Sequence, residues 1–244
     1  MTNLRLIKDK DSQLNFQLRS KDKKKKYAEL VLYGTIGEDF FGEGITGKAV
    51  SEELRAFGEI ENLDVRINSM GGDVFDGVTI YNRLKQLNAN ITVYVDGLAA
   101  SIASIIAMAG DEIIMSEGSL FMIHSPMTGV FGNQRDMEEK IQVLDTIEEE
   151  MLSIYAKRTG MSRSELRTMV HAETWFGSEE AIEMGFASKV DEELNIAACA
   201  DASVKYYSKM YKNLPTEKIV TQSDIVKRKL KNINSNIEDF LTRK

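Results

Sequence analysis

Between Tyr27 and His124 the sequence switches repeatedly between two hydrophobic periods, and that alternation limits the fold more than any other feature. The run "AELVLYGTI", β-branched and aromatic and broken by Gly34 and Gly37, predicts a first strand. "TGKAVSEELRAFGEI" follows with helical spacing that offers Ala49, Leu54 and Phe57 to one face. "ENLDVRINS" alternates Leu63, Val65 and Ile67 as a strand does, and "DVFDGVTIYNRLKQLN" returns to the helical period with Val74, Val78, Tyr81 and Leu84. "ITVYVDG" predicts a strand, "SIASIIAMAG" a short apolar helix, and "DEIIM" and "SLFMIH" two further strands. Strands alternating with helices in this order require crossover connections, hence an α/β fold with a mainly parallel sheet. At 244 residues the chain can bury one substantial core.

Beyond the last strand the pattern is helical. "RDMEEKIQVLDTIEEEMLSIYAKRT" places Met137, Ile141, Leu144, Ile147, Met151 and Ile154 at steps of three and four, predicting one long helix over 134–159 whose apolar stripe needs a cover. Two shorter helices follow around "TWFGS", with Ser162 and Ser178 as expected N-caps; only Ser162, three residues before Glu165, forms the Ser-x-x-Glu box. The chain thus divides into a basic N-terminal arm (1–27), a central domain (28–200) and a basic, helical C-terminal tail (201–244) without an evident core contribution. Residues 1–26 carry nine Lys/Arg against three Asp/Glu, and residues 205–244 carry ten against four, so the segment between them is far more acidic than the overall charge of −7. An acidic centre argues against a dedicated nucleic-acid-binding domain, and the basic ends read as solvated surface.

Several classes of function are disfavoured. The single cysteine, Cys199, makes no intrachain disulfide, and with two histidines it supplies no zinc cluster of the usual spacing. No window approaches the roughly 18 apolar residues of a spanning helix, and the N-terminus lacks the apolar centre of a secretory signal, so no membrane association and a cytoplasmic location are expected.

Three segments combine glycines with reactive side chains at expected strand ends, where ligands bind in parallel sheets: "SMGGD" (69–73), "DGLAAS" (96–101) and "MIHSP" (122–126). Ser101 enters a helix at its first turn, where free amides favour an oxyanion; as a residue by itself it can equally be a cap. Gly71 and Gly72 let backbone N–H groups approach a substrate, suiting an oxyanion hole or main-chain peptide binding. Neither a Gly-x-Ser-x-Gly elbow nor a phosphate-binding glycine loop is present. His124 is the imidazole that could activate a serine, although a histidine after an apolar run can also be structural. His171 has no accompanying serine motif and reads as a surface residue, and Trp175 and Phe176 read as core or subunit contact.

In combination, "INSMGGDVFDGVTIYNRL", "VDGLAASIASIIAMAG", "SLFMIHSP" and "SEEAIEMGF" resemble the Clp protease proteolytic subunit, a family of self-compartmentalised serine peptidases, over residues 28–195. The basic tail and the divergent sequence are more similar to its phage and prophage branch, which includes head-maturation proteases. The resemblance implies an α/β fold of the Clp protease and crotonase type, a spiral of ββα units with a protruding helical handle. It also implies an endopeptidase acting on unfolded or extended chains, needing no metal or other cofactor, with Ser101 as nucleophile, His124 as general base, Gly72 and Ile102 as oxyanion donors and Gly71 on the substrate path. The family's third triad member is an aspartate twelve residues before the glycine that is here Gly185, and Glu173 occupies that position. Met70 stands where the family often has proline. The implied partners are further copies of the chain in stacked, heptameric rings, an ATP-driven AAA+ unfoldase, and protein substrates such as capsid or scaffold precursors. Two other readings stay open: an acyl-CoA hydratase or isomerase using the same oxyanion hole, and a non-catalytic scaffold in which Glu173 marks decay of the triad.

Overall fold

The structure is a computed structural model that describes residues 16–22, 26–38, 44–191, Tyr211 and Asn213. Most of the arm, Cys199 and all of the tail except those two residues lie outside the described set.

Among the described residues, nine strands form a single mixed sheet. Its main path runs β1 (Phe16–Asp22), β2 (Tyr27–Glu38), β4 (Asn62–Gly72), β5 (Asn90–Ala100), β6 (Glu112–Ser116) and β9 (Lys189–Asp191), with β3 (Gly44–Ile45) paired to β2. From β2 to β9 every neighbouring pair on this path is parallel. The connections are helical as expected: α1 (Gly47–Phe57), α2 (Val74–Lys85) and α3 (Ile102–Ala107) pack on the sheet. Strand β1 falls within the segment read as a polar arm; Phe16 and Leu18 pack against the core, while Arg19 and Lys21 pair with Glu29 on β2 and Asp64 on β4. That edge combines a short apolar face with charge pairs, so its strand character is weak in the sequence.

Strand β5 forks, and the fork positions the site. Thr92–Val95 pair with β6, whereas Leu98–Ala100 pair with β7 (Leu120–Ile123), which pairs antiparallel with β8 (Thr174–Gly177). The pleat sends alternate residues to opposite faces. Ala99, Phe121 and Ile123 join the main core, while Leu98, Ala100, Leu120 and Met122 form a second apolar cluster with Met70, Trp175 and Tyr211. On β4, Leu63, Val65 and Ile67 enter the main core. Asp64 and Arg66 face the other way, into a polar network in which Arg66 and the Tyr33 hydroxyl both donate to Asp96. Burial pushes the Asp96 carboxyl up against the pull of Tyr33 and Arg66, and burial with the adjacent Asp96 pushes the Tyr33 phenol up to about 12.

Two expected helix details differ. The buried face of α1 is Gly47, Val50 and Leu54, with Phe57 packed beside them, rather than one that includes Ala49, because Ala49 lies five residues before Leu54 and so off the helical period. Helix α6 (Ser178–Glu183) starts one residue early: Gly177 is the cap, and the Glu180 carboxylate accepts from its N–H at 2.8 Å. The Ser162–Glu165 box at the start of α5 (Arg163–His171) is present as expected. Helix α4 (Gln134–Thr159) buries only Met151, Leu152 and Tyr155, near its C-terminal end. Its N-terminal half leaves Met137 and Ile141 exposed, as is Phe131 just before it. Among the described residues no helix is long and apolar enough to cross a membrane.

Candidate active site

The three glycine-bearing segments converge. Strand β5 ends at Ala100, opposite Met122 of β7, and the Ser101 N–H donates to the Met122 carbonyl at 3.0 Å. Two residues beyond Met122 the chain reaches His124, and its Nε2 lies 2.7 Å from Ser101 Oγ. With a neutral imidazole the serine hydroxyl donates across that distance, the geometry of a nucleophile and its base.

Ser101 has φ 55° and ψ −130°, in the left-handed half of backbone space. For a residue other than glycine such a conformation costs roughly 1–3 kcal/mol and persists only where surroundings enforce it. Here the turn is enforced on both sides: the Met122 carbonyl accepts from Ser101, and the Ser101 carbonyl accepts from Ser104, whose hydroxyl also meets the buried Tyr155 hydroxyl at 2.7 Å. Ser104 therefore ties the Ser101 turn to α4.

The glycines are required sterically. A Cβ on Gly71 would stand 2.7 Å from the Ser101 Cβ and 3.1 Å from the Ile102 nitrogen, and one on Gly72 would stand 2.0 Å from the Ile36 carbonyl oxygen. Gly71 thus brings bare backbone against the serine, beside the N–H of Ile102. The turn is fixed from behind, since Ser69 Oγ accepts from the Gly71 N–H at 3.0 Å and donates to the Gly34 carbonyl at 2.6 Å.

Glu173 comes to the site by register. The antiparallel pairs of β7 and β8 run Met122 with Trp175 and Ile123 with Thr174, so the next step sets His124 opposite Glu173. Glu173 adopts φ 51° after α5 and its N–H donates to the Val170 carbonyl at 3.2 Å. His124 is 8% exposed; burial pushes its imidazole below the ordinary value, and the Glu173 charge pulls it part of the way back. The side chain of Glu173 accepts from Trp175 Nε1 at 3.3 Å and from the Asn213 N–H at 2.8 Å through the same oxygen, Oε1.

His171 stands apart, exposed and 2.9 Å from Glu148, whose other oxygen accepts from Ser125. Trp175 and Phe176 are buried. The residues that sequence reasoning missed are Tyr211 and Asn213. The Tyr211 hydroxyl donates to the Met70 carbonyl at 2.9 Å, and its ring meets those of His124 and Trp175 edge-on at 5.5 and 5.6 Å. The one signal for them is the aromatic cluster "KYYSKMYKN" in an otherwise lysine-rich tail.

Comparison with known proteins follows the same outline. The Clp protease family model matches residues 45–193. The chain is 29% identical over 161 residues to an ATP-dependent Clp protease proteolytic subunit 1 of Protochlamydia amoebophila, covering 62% of this chain and 78% of that protein. It is 26% identical over 166 residues to the corresponding subunit of Bacteroides fragilis, covering 66% and 78%. Among solved structures it is similar to a point mutant of ClpP1 from Listeria monocytogenes, with a TM-score of 0.59 at 22% identity over 68% of this chain and 92% of that one.

Proposed function

The chain belongs to the Clp protease family, and from that premise we propose that it is a serine-type endopeptidase working through an acyl-enzyme. The observation that carries the reading is the 2.7 Å approach of His124 Nε2 to Ser101 Oγ on a strained turn lined by glycine backbone. Ser101 attacks the scissile carbonyl while His124 takes its proton and returns it to the leaving amine. The N–H groups of Gly72 and Ile102 hold the oxyanion, and Glu173 stabilises the imidazolium. Burial pushes the His124 imidazole below its ordinary value, which favours the neutral form a general base needs.

Substrates are unfolded or extended chains, laid along the Gly71 backbone by main-chain hydrogen bonds. The protein assembles as stacked rings of seven through α4, a reading supported by the exposed Phe131, Met137 and Ile141 on and beside its projecting half. An AAA+ unfoldase is the proposed source of extended substrate. The basic tail favours the phage and prophage branch, with capsid or scaffold precursors as substrates.

The test is labelling with a fluorophosphonate and hydrolysis of an unstructured protein, with particle size measured in parallel. Wild type should label and turn over, Ser101→Ala should do neither, and Ile141→Glu should shrink the particle. Undiminished hydrolysis by Ser101→Ala would overturn the reading, and a wild type that neither labels nor turns over would leave the hydratase or scaffold alternatives.

A further inference from the structure

We propose that Tyr211 and Asn213, from the segment beyond the family-matched domain, complete the active site as positioning residues: Asn213 restrains Glu173, and Tyr211 backs the ring of His124. The inference rests on the peptidase reading and concerns how a glutamate can serve at the acid position.

Glutamate has one more rotatable bond than aspartate, so its carboxylate needs more external restraint to hold one orientation toward an imidazole. The structure supplies that restraint. Two N–H donors, Trp175 Nε1 and the Asn213 backbone, converge on Oε1 and restrain the carboxylate beside the imidazole whose charge it influences. Asn213 is itself anchored, its side-chain amide donating to the Ala172 carbonyl at 2.8 Å, one residue before Glu173. Asn213 therefore grips the left-handed turn from which Glu173 projects.

Tyr211 acts from the face of the sheet opposite the main core. Leu98, Ala100, Leu120 and Met122 point to that face by strand alternation, and the tyrosine, 5% exposed, covers them together with Trp175. Its ring edge-on to His124 supports the imidazole from behind, and its hydroxyl, bound to Met70, ties it to the turn that carries Gly71 and Gly72. One aromatic side chain thus touches the proposed base and the strand end that carries Gly71 and Gly72. Among the described residues, the groups facing His124 include Ser101, Glu173 and the Tyr211 ring; Glu148 on α4 and His171 on α5 pair with each other, and Glu148 also accepts from Ser125.

The two residues have opposite electrostatic consequences, which separates positioning from general stabilisation. Loosening Glu173 weakens the charge that raises the His124 pKa, whereas removing the tyrosine ring relieves the burial that lowers it.

The experiment is peptide hydrolysis against pH by the full-length protein carrying Asn213→Pro, Asn213→Ala or Tyr211→Ala, with thermal unfolding as the check on folding. Asn213→Pro, which deletes the N–H, should lower kcat about tenfold with KM little changed and move the acid limb of the profile to lower pH. Asn213→Ala keeps the N–H and should lose less. Tyr211→Ala should move the acid limb to higher pH. In a Glu173→Asp background, whose shorter carboxylate no longer reaches Asn213, the proline substitution should add little further loss. Unchanged kcat and pH profiles in Asn213→Pro and Tyr211→Ala, beside a wild type that labels at Ser101, would overturn this inference alone. A rise in kcat/KM with Tyr211→Ala would also overturn it, since the ring would then be standing in the path of the substrate. A wild type that fails to label would instead remove the peptidase reading and this inference with it.

Discussion

Ser101 and His124 stand at the ends of two hydrogen-bonded strands, whereas Glu173 stands in a left-handed turn and is gripped by a tryptophan and a segment 40 positions away. The serine–histidine half is organised by the sheet itself: the fork in β5 brings Ala100 against Met122, and the Ser101 N–H extends that pairing by one bond. The acid half has register on its side, but the last step of it is taken by a side chain with an extra methylene. The difference teaches that the two halves fail differently. Damage to the first should remove chemistry, while damage to the second should retune it.

The largest effect expected is from Ser101→Ala, which should reduce peptide hydrolysis by about 10³- to 10⁶-fold and abolish serine-probe labelling. Next comes Gly71→Ala. The added Cβ meets the Ser101 Cβ at 2.7 Å on a residue with φ 92°, and a displacement of that order at the nucleophile should cost about 10²-fold in kcat. Gly129→Ala, at an open position with nothing within 4 Å, should leave kcat unchanged and serves as the comparison. Glu173→Gln tests the other half, and kcat should fall by about ten- to 10²-fold. Its charge is the influence that raises the His124 pKa against burial, so the acid limb of the activity profile should move further below the usual imidazole value, not above it. A kcat loss as deep as that of Ser101→Ala would break the comparison by making the acid as indispensable as the nucleophile. The smallest effect is expected at Tyr155→Phe, which removes the hydroxyl shared with Ser104; denaturant unfolding should register a loss of about 1 kcal/mol while the pH profile stays in place.

How legible each part was follows from how local its cause is. The βαβ order was readable because each strand and helix repeats its own apolar period, and Ser101 and His124, the proposed nucleophile and base, were readable because both follow directly from strands in "GLAAS" and "FMIH". On α1 the expected Leu54 and Phe57 do meet the core, but their partner is Val50, four residues before Leu54, and not Ala49, whose five-residue step to Leu54 takes it off that face. The long helix was legible as a helix, but not where along it the core ends: its apolar residues recur from Met137 to Ile154, yet the fully buried positions begin at Met151. Strand β1 hid because its apolar alternation is only Phe16 and Leu18, set in a lysine-rich segment whose other face closes on Glu29 and Asp64 through Arg19 and Lys21.

What the sequence determined by itself is the succession of elements and the placement of glycine, serine and histidine at strand ends, since period, turn chemistry and the need for bare backbone are properties of a few neighbouring residues. What only the tertiary structure decided is which surfaces close on one another: the fork that sets His124 against Ser101, the register that sets Glu173 opposite His124, and the return of Tyr211 and Asn213 to the far side of the site. Those contacts join positions tens of residues apart, and the free energy that selects them comes from burying both partners at once, which neither partner's local sequence records.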